Sequence, residues 1–158
     1  MSTGGTFNKI YNAQNGLLQI DSTAQSLQDL ADKWLCTLDT TTLIGKDSLD
    51  FTLTDRQVLL EAIENANYTD IIIIHGTDTL DITAKYLAAH LHTKIVVLTG
   101  AMVPYSIDPI EATANFSCAY GYINALEKHG VYIVMNGLMG HYKEVKKDRK
   151  LGKFIKNI

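Results

Sequence analysis

The stretch DIIIIHGTDTL, residues 70–80, decides the fold class of this chain. Four consecutive isoleucines are typical of a parallel strand that is covered on both faces, because such a strand has no polar side. The β-branched side chains and Gly76 argue against a helix over the same residues. The residues that follow, TDTLDITAKYLAAHLH, have the apolar spacing of a helix. A buried strand that leads directly into a helix predicts a parallel sheet with crossover helices.

The same alternation continues on the C-terminal side. KIVVLTG (94–100) and VYIVMN (131–136) have the apolar composition of two further buried strands. Between them, the residues from 110 to 128 predict a helix that Gly130 ends.

On the N-terminal side the patterns are shorter and more polar. They predict a short strand or hairpin edge in LLQID (17–21), a helix in STAQSLQDLADKWL (22–35) capped by Ser22, a strand in TLDTTTLIG (37–45), a loop in DSLDFT (47–52) and a helix in TDRQVLLEAIENAN (54–67) capped by Thr54. Strands and helices alternate from about residue 39 onward. The predicted fold is therefore α/β, a parallel sheet with flanking helices in a flavodoxin/Rossmann-like three-layer sandwich.

Length and composition predict one globular domain over residues 1–158, with 46% apolar and 20% charged residues. The net charge of −3 indicates no particular partner. Seven of the 14 basic residues lie in KEVKKDRKLGKFIK (143–156), which we interpret as a solvated tail or helix face. Nucleic-acid binding is disfavoured, because Phe154 is the one aromatic residue in that stretch.

Metal, cofactor and membrane partners are not expected. Cys36 and Cys118 are far apart and predict reduced, buried thiols. The five histidines form no HxxxH or HExxH pair, so the sequence predicts neither a metal site nor a cofactor. The opening MSTGGTFNKI lacks the pattern of a signal peptide, and no apolar run reaches the length of a membrane span. We expect a cytoplasmic location.

Polar and glycine residues follow each of the three buried strands. His75, Gly76, Thr77 and Asp78 follow the first strand, Thr99 to Met102 follow the second, and Asn136 and Gly137 follow the third. Ligands bind beyond the carboxyl ends of strands in open parallel sheets. The N-terminus of the next helix offers free N–H groups there. This edge of the sheet suits a small ligand with a carboxylate, although Thr77 and Asp78 could also serve only as helix caps.

A second polar motif, TGGT (3–6), lies near the start of the chain. Paired glycines allow backbone angles that bring a chain close to a ligand, and they would expose Thr6 on a tight turn. The alternative is a disordered terminus. A phosphate-binding loop is excluded, because GxxxxGK[ST] is absent.

Three motifs together resemble the bacterial-type L-asparaginase family: TGGTF near the start, HGTDT after a buried strand and VVLTGAMVP after the next. Their order resembles that of the family's N-terminal domain along nearly the whole chain. The resemblance implies an α/β fold with a flavodoxin-like parallel sheet. It also implies hydrolysis of an amino-acid amide by a homodimer or tetramer.

The resemblance also suggests which residues form the site. Thr6 resembles the family's nucleophile, and Thr77 and Asp78 resemble its second hydroxyl and acid. Lys147, eleven residues after Asn136, would be the lysine that contacts both. Tyr11 is the nearest tyrosine after Thr6 and a candidate for the family's mobile-loop tyrosine.

The substrate side of the site follows from the same resemblance. DSLDFT resembles the family's substrate loop, so Ser48 would bind the substrate carboxylate, beside Leu49 and Gly76. A threonine hydroxyl needs a base, which a lysine can supply. Backbone N–H groups near Gly5 or Gly76 are candidate donors to the oxyanion.

The sequence also departs from the family. We expect no second, C-terminal domain. Leu49 lies where many members carry a polar residue, which predicts loose amino-acid recognition. The family's apolar strand before TGGT is missing, so we expect residues 1–12 to be mobile or displaced and activity to be weak.

Three functional hypotheses follow from these patterns. The first is an asparaginase-type amidohydrolase that converts asparagine to aspartate and ammonia. The second is a non-catalytic relative that binds an amino acid or a partner protein at the same edge of the sheet. The third is an amidotransferase component that passes ammonia to a tRNA-linked substrate.

Overall fold

The computed structural model of the chain describes residues 1–156. The last two residues of the predicted domain, 157 and 158, lie outside this range. The elements in chain order are β1 (Ser2–Gly4), β2 (Lys9–Asn12), β3 (Leu17–Ile20), α1 (Gln25–Trp34), β4 (Thr42–Lys46), α2 (Leu53–Asn65), β5 (Asp70–Ile74), α3 (Leu80–His90), β6 (Ile95–Thr99), α4 (Pro109–Asn124), β7 (Gly130–Met135), β8 (Leu138–His141), β9 (Val145–Asp148) and β10 (Lys153–Lys156).

Six strands form one sheet in the order β4-β1-β5-β6-β7-β8. All neighbours in it are parallel except β7 and β8, which are antiparallel. Helices cover both faces: α2 and α3 pack on one side, and α1 and α4 pack on the other. The predicted α/β fold is confirmed, with a mixed and mostly parallel sheet.

The isoleucine run of β5 lies at the centre of this arrangement. Ile71 and Ile73 face the core beneath α2 and α3, whereas Ile72 and Ile74 face α1 and α4. Successive side chains of a strand point to opposite faces, so a sheet covered twice requires an apolar residue at every position.

The structure places the N-terminal segment inside the sheet, which makes the expected displacement of residues 1–12 wrong. The Ser2 N–H donates to the carbonyl of Thr41 at 2.8 Å, and the Ile74 N–H donates to the carbonyl of Met1 at 2.9 Å. The side chains of Ser2 and Thr3 are buried with polar partners, and Phe7 is fully buried. These hydrogen bonds, together with the burial of Phe7, account for the position of a strand only three residues long.

Below β1 the sheet is open. Strand β1 opposes β5 at a single pair, Ser2 and Ile74. A cavity of about 700 Å³ continues the line of β1 between the segment 37–41 and the start of β5, and Met1 lies at its end. Beside this cavity, Thr3 Oγ1 donates to the Ile74 carbonyl and Gly4 is paired with Lys46, so both residues keep their places in the sheet.

Several predicted boundaries differ from the structure. Helix α1 begins after Ala24, which has a positive φ of 54° and no side-chain cap, and Asp21 accepts the Gln25 N–H instead of Ser22. Helix α2 is capped by Thr52, not Thr54, because Thr52 and Asp55 form a reciprocal capping box. Strand β4 and helix α4 are shorter than predicted, and the predicted loop at 47–52 contains a 3₁₀ turn over Ser48–Asp50.

Two hairpins complete the fold. The predicted hairpin edge at LLQID is β3, paired with β2. The basic segment forms the antiparallel pair β9 and β10, so the interpretation as a solvated tail or helix face is wrong.

Cys36 and Cys118 are free thiols, as predicted, but they are half-buried instead of buried. Among the residues described, no helix combines the length and the apolar character needed to cross a membrane.

Candidate active site

Lys147 contacts both polar residues that follow β5. Its Nζ lies 2.9 Å from Thr77 Oγ1 and 2.6 Å from Asp78 Oδ1. The Lys147 side chain is 12% exposed and that of Asp78 is 39% exposed, so the lysine of this ion pair is largely buried and the carboxylate is partly open to solvent. Strand β9 brings Lys147 across from the far end of the chain to the start of α3. The predicted contact between Lys147 and these two residues is confirmed.

Arg149 fixes the same hairpin to the start of α3. Its Nη2 donates to Asp81 Oδ1 at 2.9 Å and to the Asp78 carbonyl at 2.5 Å. Lys147 and Arg149 are two positions apart, the spacing of side chains that share one face of an extended chain. Sequence reasoning missed Arg149, because its contacts with α3 arise only once the hairpin of β9 and β10 has formed, with Arg149 in the turn just after β9.

Glycine contacts bring the TGGT turn beside the GTDT turn. Gly5 has a φ of +76°, and a Cβ on it would lie 2.5 Å from the Cα and N of Gly76. A Cβ on Gly76 would in turn lie 2.6 Å from the Cβ of Ser48. The Gly5 and Gly76 backbones therefore meet directly, and the Ser48 side chain packs against Gly76 where a Cβ would otherwise lie. Thr6 follows the first of these glycines and Thr77 follows the second.

Ser48 is 1% exposed and packed against the GTDT turn. Its Oγ accepts the Asp78 N–H at 3.2 Å, and its carbonyl accepts the Thr79 hydroxyl at 2.7 Å. The Asp47 carboxylate forms an ion pair with Lys9 Nζ at 2.7 Å, and this pairing with Lys9 lowers the pKa of Asp47. That ion pair ties β2 to the Ser48 turn.

Two predicted site residues remain outside this cluster. The Leu49 side chain is 73% exposed and lies next to Ser48 on the 3₁₀ turn. Tyr11 is 61% exposed on β2, and its hydroxyl lies near Gly16 at the hairpin turn. Within residues 1–156, Tyr11 makes no hydrogen bond to Thr6, Thr77 or Lys147.

Polar side chains of α4 hold the ends of β6 and β7, another arrangement that sequence reasoning missed. Asn115 donates to the Gly100 carbonyl at 2.9 Å and accepts the Asn136 N–H at 2.7 Å. Glu111 accepts the N–H groups of Met102 and Val103, both at 3.0 Å. Each residue therefore satisfies loop backbone groups next to the predicted ligand-binding edge.

Two buried or paired groups near the site have perturbed pKa values. Desolvation lowers the pKa of His75 to about 4, so its imidazole is neutral at pH 7. The hydrogen bond from Lys46 lowers the pKa of Asp55 to about 2. In the part of the chain that the structure describes, no group of three His, Cys, Asp or Glu side chains could hold a metal ion.

The mostly parallel sheet with helices on both faces defines an α/β protein. Its polar groups gather at the carboxyl ends of the strands, which is the edge where proteins of this class bind ligands. The family described as "Asparaginase, N-terminal" matches residues 1–151. The chain belongs to the asparaginase family.

Curated relatives match over shorter stretches. The chain is 29% identical to the glutaminase-asparaginase of Acinetobacter glutaminasificans over 104 residues, which cover 60% of the chain and 31% of that protein. It is 44% identical to the mouse 60 kDa lysophospholipase over 62 residues, which cover 37% of the chain and 11% of that protein. The chain thus spans less than a third of either relative.

Solved structures match along almost the whole chain. The thermostable L-asparaginase from Thermococcus kodakarensis has a TM-score of 0.84 and 27% identity, with 98% of this chain and 49% of that chain covered. The probable cytoplasmic L-asparaginase from Campylobacter jejuni has a TM-score of 0.77 and 23% identity, with 98% and 51% covered. The second likeness concerns the fold alone.

Proposed function

We propose that this chain is an asparaginase-type amidohydrolase that hydrolyses the side-chain amide of asparagine to aspartate and ammonia. The observation that carries the proposal is the Lys147 amine, held between the Thr77 hydroxyl and the Asp78 carboxylate. Family membership supports the same class of reaction.

The proposed nucleophile is Thr6. Its Oγ would bond to the amide carbon, and its proton would pass to the Thr77–Lys147 pair, which gives a proton to the departing nitrogen, so that the nitrogen leaves as ammonia. Water would then cleave the resulting ester, releasing aspartate and restoring the Thr6 hydroxyl. Lys147 donates to the Thr77 oxygen, so the Thr77 O–H is free to donate to substrate. Tyr11 would reach this group only if the β2–β3 hairpin moves toward it.

Substrate binding would use the backbone and hydroxyl groups around Gly76. Ser48 Oγ accepts the Asp78 N–H, which leaves its own O–H available for the carboxylate of the substrate. Backbone N–H groups near Gly5 and Gly76 would stabilise the developing oxyanion, a contribution of the kind that fixed donors make in other acyl-transfer sites. Asp78 is already paired with Lys147, so we assign it to orienting Lys147.

A non-catalytic amino-acid-binding relative is the second candidate. Leu49 supports this candidate, because its exposed side chain next to Ser48 offers no hydrogen bond to an amino-acid substrate. An amidotransferase component has lost its main support, because the basic segment is a hairpin that supplies Lys147 to the site.

One assay separates the three hypotheses. Purified protein should release ammonia from asparagine, with glutamine as the comparison substrate and with or without tRNA. Release that is independent of tRNA supports the proposed function. Binding of aspartate without ammonia release would instead indicate the non-catalytic relative, and release only with tRNA would indicate the amidotransferase component.

Assembly and location belong to the same proposal. We propose a homodimer or tetramer in the cytoplasm that acts on a small amino-acid amide without a metal or cofactor. Sedimentation at micromolar protein concentration tests the assembly, and a monomer throughout would contradict it.

A further inference from the structure

A chain of buried hydrogen bonds runs beneath the GTDT turn. Arg56 Nε donates to Thr83 Oγ1 at 3.1 Å, and Thr83 Oγ1 lies 3.0 Å from His75 Nε2. On the other side of the ring, His75 Nδ1 lies 2.8 Å from the Gly76 carbonyl oxygen. His75 and Thr83 are fully buried, and Arg56 is 8% exposed.

The direction of these hydrogen bonds follows from the groups at the two ends. A carbonyl oxygen only accepts, so His75 Nδ1 must carry a proton. In a neutral ring Nε2 then carries none and accepts the Thr83 hydroxyl proton, while the Thr83 oxygen accepts from Arg56. Every donor in this series of hydrogen bonds therefore points from Arg56 towards Gly76.

The surroundings of the ring keep it neutral. The Phe51 ring lies 4.6 Å from the imidazole centroid to centroid, and Arg56 also donates to the Phe51 carbonyl at 3.0 Å. Burial and the nearby Arg56 charge disfavour a second proton on the ring. They outweigh the hydrogen bond to the Gly76 carbonyl and the charges of Asp47 and Asp81, which favour it.

The end of the chain of hydrogen bonds is the peptide that carries Thr77. Because a peptide unit is planar, holding the Gly76 carbonyl oxygen also sets the direction of the Thr77 N–H. Gly76 has no side chain of its own to hold it and lies against Gly5 and Ser48. Hydrogen bonding by His75 is therefore what fixes the orientation of this peptide from below.

We propose that His75 is a positioning residue, which holds the Gly76–Thr77 peptide through the directed hydrogen bonds from Arg56 and Thr83. This proposal rests on the proposed function for its consequence, because the peptide that His75 holds carries Thr77. It does not rest on that function for its geometry. His75 itself would touch no substrate.

The first test is spectroscopic and needs no activity. Nitrogen NMR of the full chain, with His75→Asn used to assign the signal, should show His75 protonated at Nδ1 and bare at Nε2 between pH 6 and 8. Thr83→Val should shift the Nε2 signal, because the ring then loses its hydrogen-bond donor. A ring protonated at Nε2 would overturn the proposal, whether or not the protein hydrolyses amides.

The second test measures turnover. His75→Leu should lower kcat by about tenfold to a hundredfold with little change in KM, the scale expected when a reacting group is misplaced by about 1 Å. His75→Asn keeps an N–H donor at the δ position and should recover most of the lost kcat. Both are measured well below their melting temperatures, so that loss of fold is not scored as loss of turnover.

The two readouts also separate this proposal from the proposed function. An inactive wild type with the Nδ1 proton in place would overturn only the hydrolysis and would support the positioning geometry. Equal kcat values for wild type and His75→Leu, in an active protein, would overturn the positioning role. Equal losses in His75→Leu and His75→Asn would do the same, because the donor to Gly76 would then not matter.

Discussion

The two threonine turns that meet at the candidate site are held in different ways. The turn at Thr77 follows β5, a five-residue strand, and Lys147 and Arg149 hold it from above. The turn at Thr6 follows β1, a three-residue strand that opposes β5 at one residue pair above a cavity of about 700 Å³. One half of the site is thus held by charged side chains, and the other by close backbone contacts and by buried neutral side chains such as Thr3 and Phe7.

This difference indicates where each half is vulnerable. Charged and hydroxyl side chains around Thr77 can be removed one at a time with local effects. The Thr6 turn depends on the absence of side chains at Gly5 and Gly76, so a single added methyl group should displace the whole turn. The chemistry should therefore be sensitive to side chains on one side and to backbone shape on the other.

The largest effect is expected in the Thr77 half of the site, which charged side chains hold. Lys147→Met should lower kcat by about 10² or more, the scale for losing a general base or proton carrier. Lys146→Met is the matched control, because Lys146 is an exposed neighbour on the same strand and forms no ion pair within the described residues. Steady-state ammonia release measures both. Equal rates in the two variants would remove Lys147 from the proposed mechanism.

The second largest effect is expected in the Thr6 half of the site, where the Gly5 and Gly76 backbones meet. Gly5→Ala should destabilise the fold by roughly 1–3 kcal/mol for the strained φ alone, with more from the clash against Gly76. Gly45→Ala is the control, since Gly45 has a φ of +68° but a Cβ added to it would meet no atom within 4 Å. Urea denaturation should show the larger loss, and ammonia release the larger fall in rate, for Gly5→Ala. Equal losses would mean that the Gly5–Gly76 contact is not what holds Thr6.

Sequence reasoning succeeded where local pattern decides structure. The isoleucines of β5 require cover on both faces wherever the strand lies, so the layer architecture could be predicted. Lys147 was placed through the family resemblance, but the hairpin that carries it was not predicted, because β9 and β10 are short, charged and paired only with each other. Their strand character depends on tertiary contacts that no local pattern specifies.

The hydrogen bonds below the site were missed for a related reason. His75, Thr83 and Arg56 lie on a strand end and two different helices, and they meet only once the sheet has folded. The wrong prediction that residues 1–12 are displaced has a different origin. No local pattern shows that buried hydrogen bonds of Ser2 and Thr3 hold the TGGT segment in the sheet.

The pH dependence of the free energy of unfolding tests whether His75, beneath Thr77, is held neutral in the folded protein. The folded-state pKa of His75 is about 4 and its ordinary value is 6.5, so the unfolded chain takes up the proton first as the pH falls. The free energy of unfolding should decrease from pH 6.5 to about 4, and this group should add nothing further below that. Asp55, with its pKa lowered to about 2 from 3.8, should add a decrease between those values.

His75→Asn isolates the first of these two windows. The difference in unfolding free energy between wild type and His75→Asn should shrink as the pH drops from 6.5 to 4, because only the wild type carries the histidine penalty. Arg56, Asp47 and Asp81 face the ring and are unchanged in the variant. A difference that stays constant over this range would show that His75 is not held neutral.

A smaller effect is expected at Ser48. Ser48→Ala removes the proposed donor to the substrate carboxylate and should raise KM more than it lowers kcat, provided that the interaction is the same in ground and transition states. The Asp78 N–H also loses its acceptor, so a modest fall in melting temperature should accompany the change. A variant with unchanged KM for asparagine would place the carboxylate elsewhere.

The smallest effect is expected at Leu49, whose side chain is largely exposed beside the buried Ser48. An exposed leucine offers no hydrogen bond to an amino-acid substrate, and a site that pairs a polar group on its ligand discriminates far better than one that does not. Leu49→Gln should therefore raise the ratio of kcat/KM for asparagine over glutamine. Because little of this side chain is packed, the free energy of unfolding should change by no more than about 0.5 kcal/mol, the range of ordinary surface substitutions.

Leu53→Gln is the control, since Leu53 is also mostly exposed but lies at the start of α2. Equal selectivity in both variants would place Leu49 outside the substrate contacts and would leave Ser48 and the backbone around Gly76 to recognise the amino acid alone.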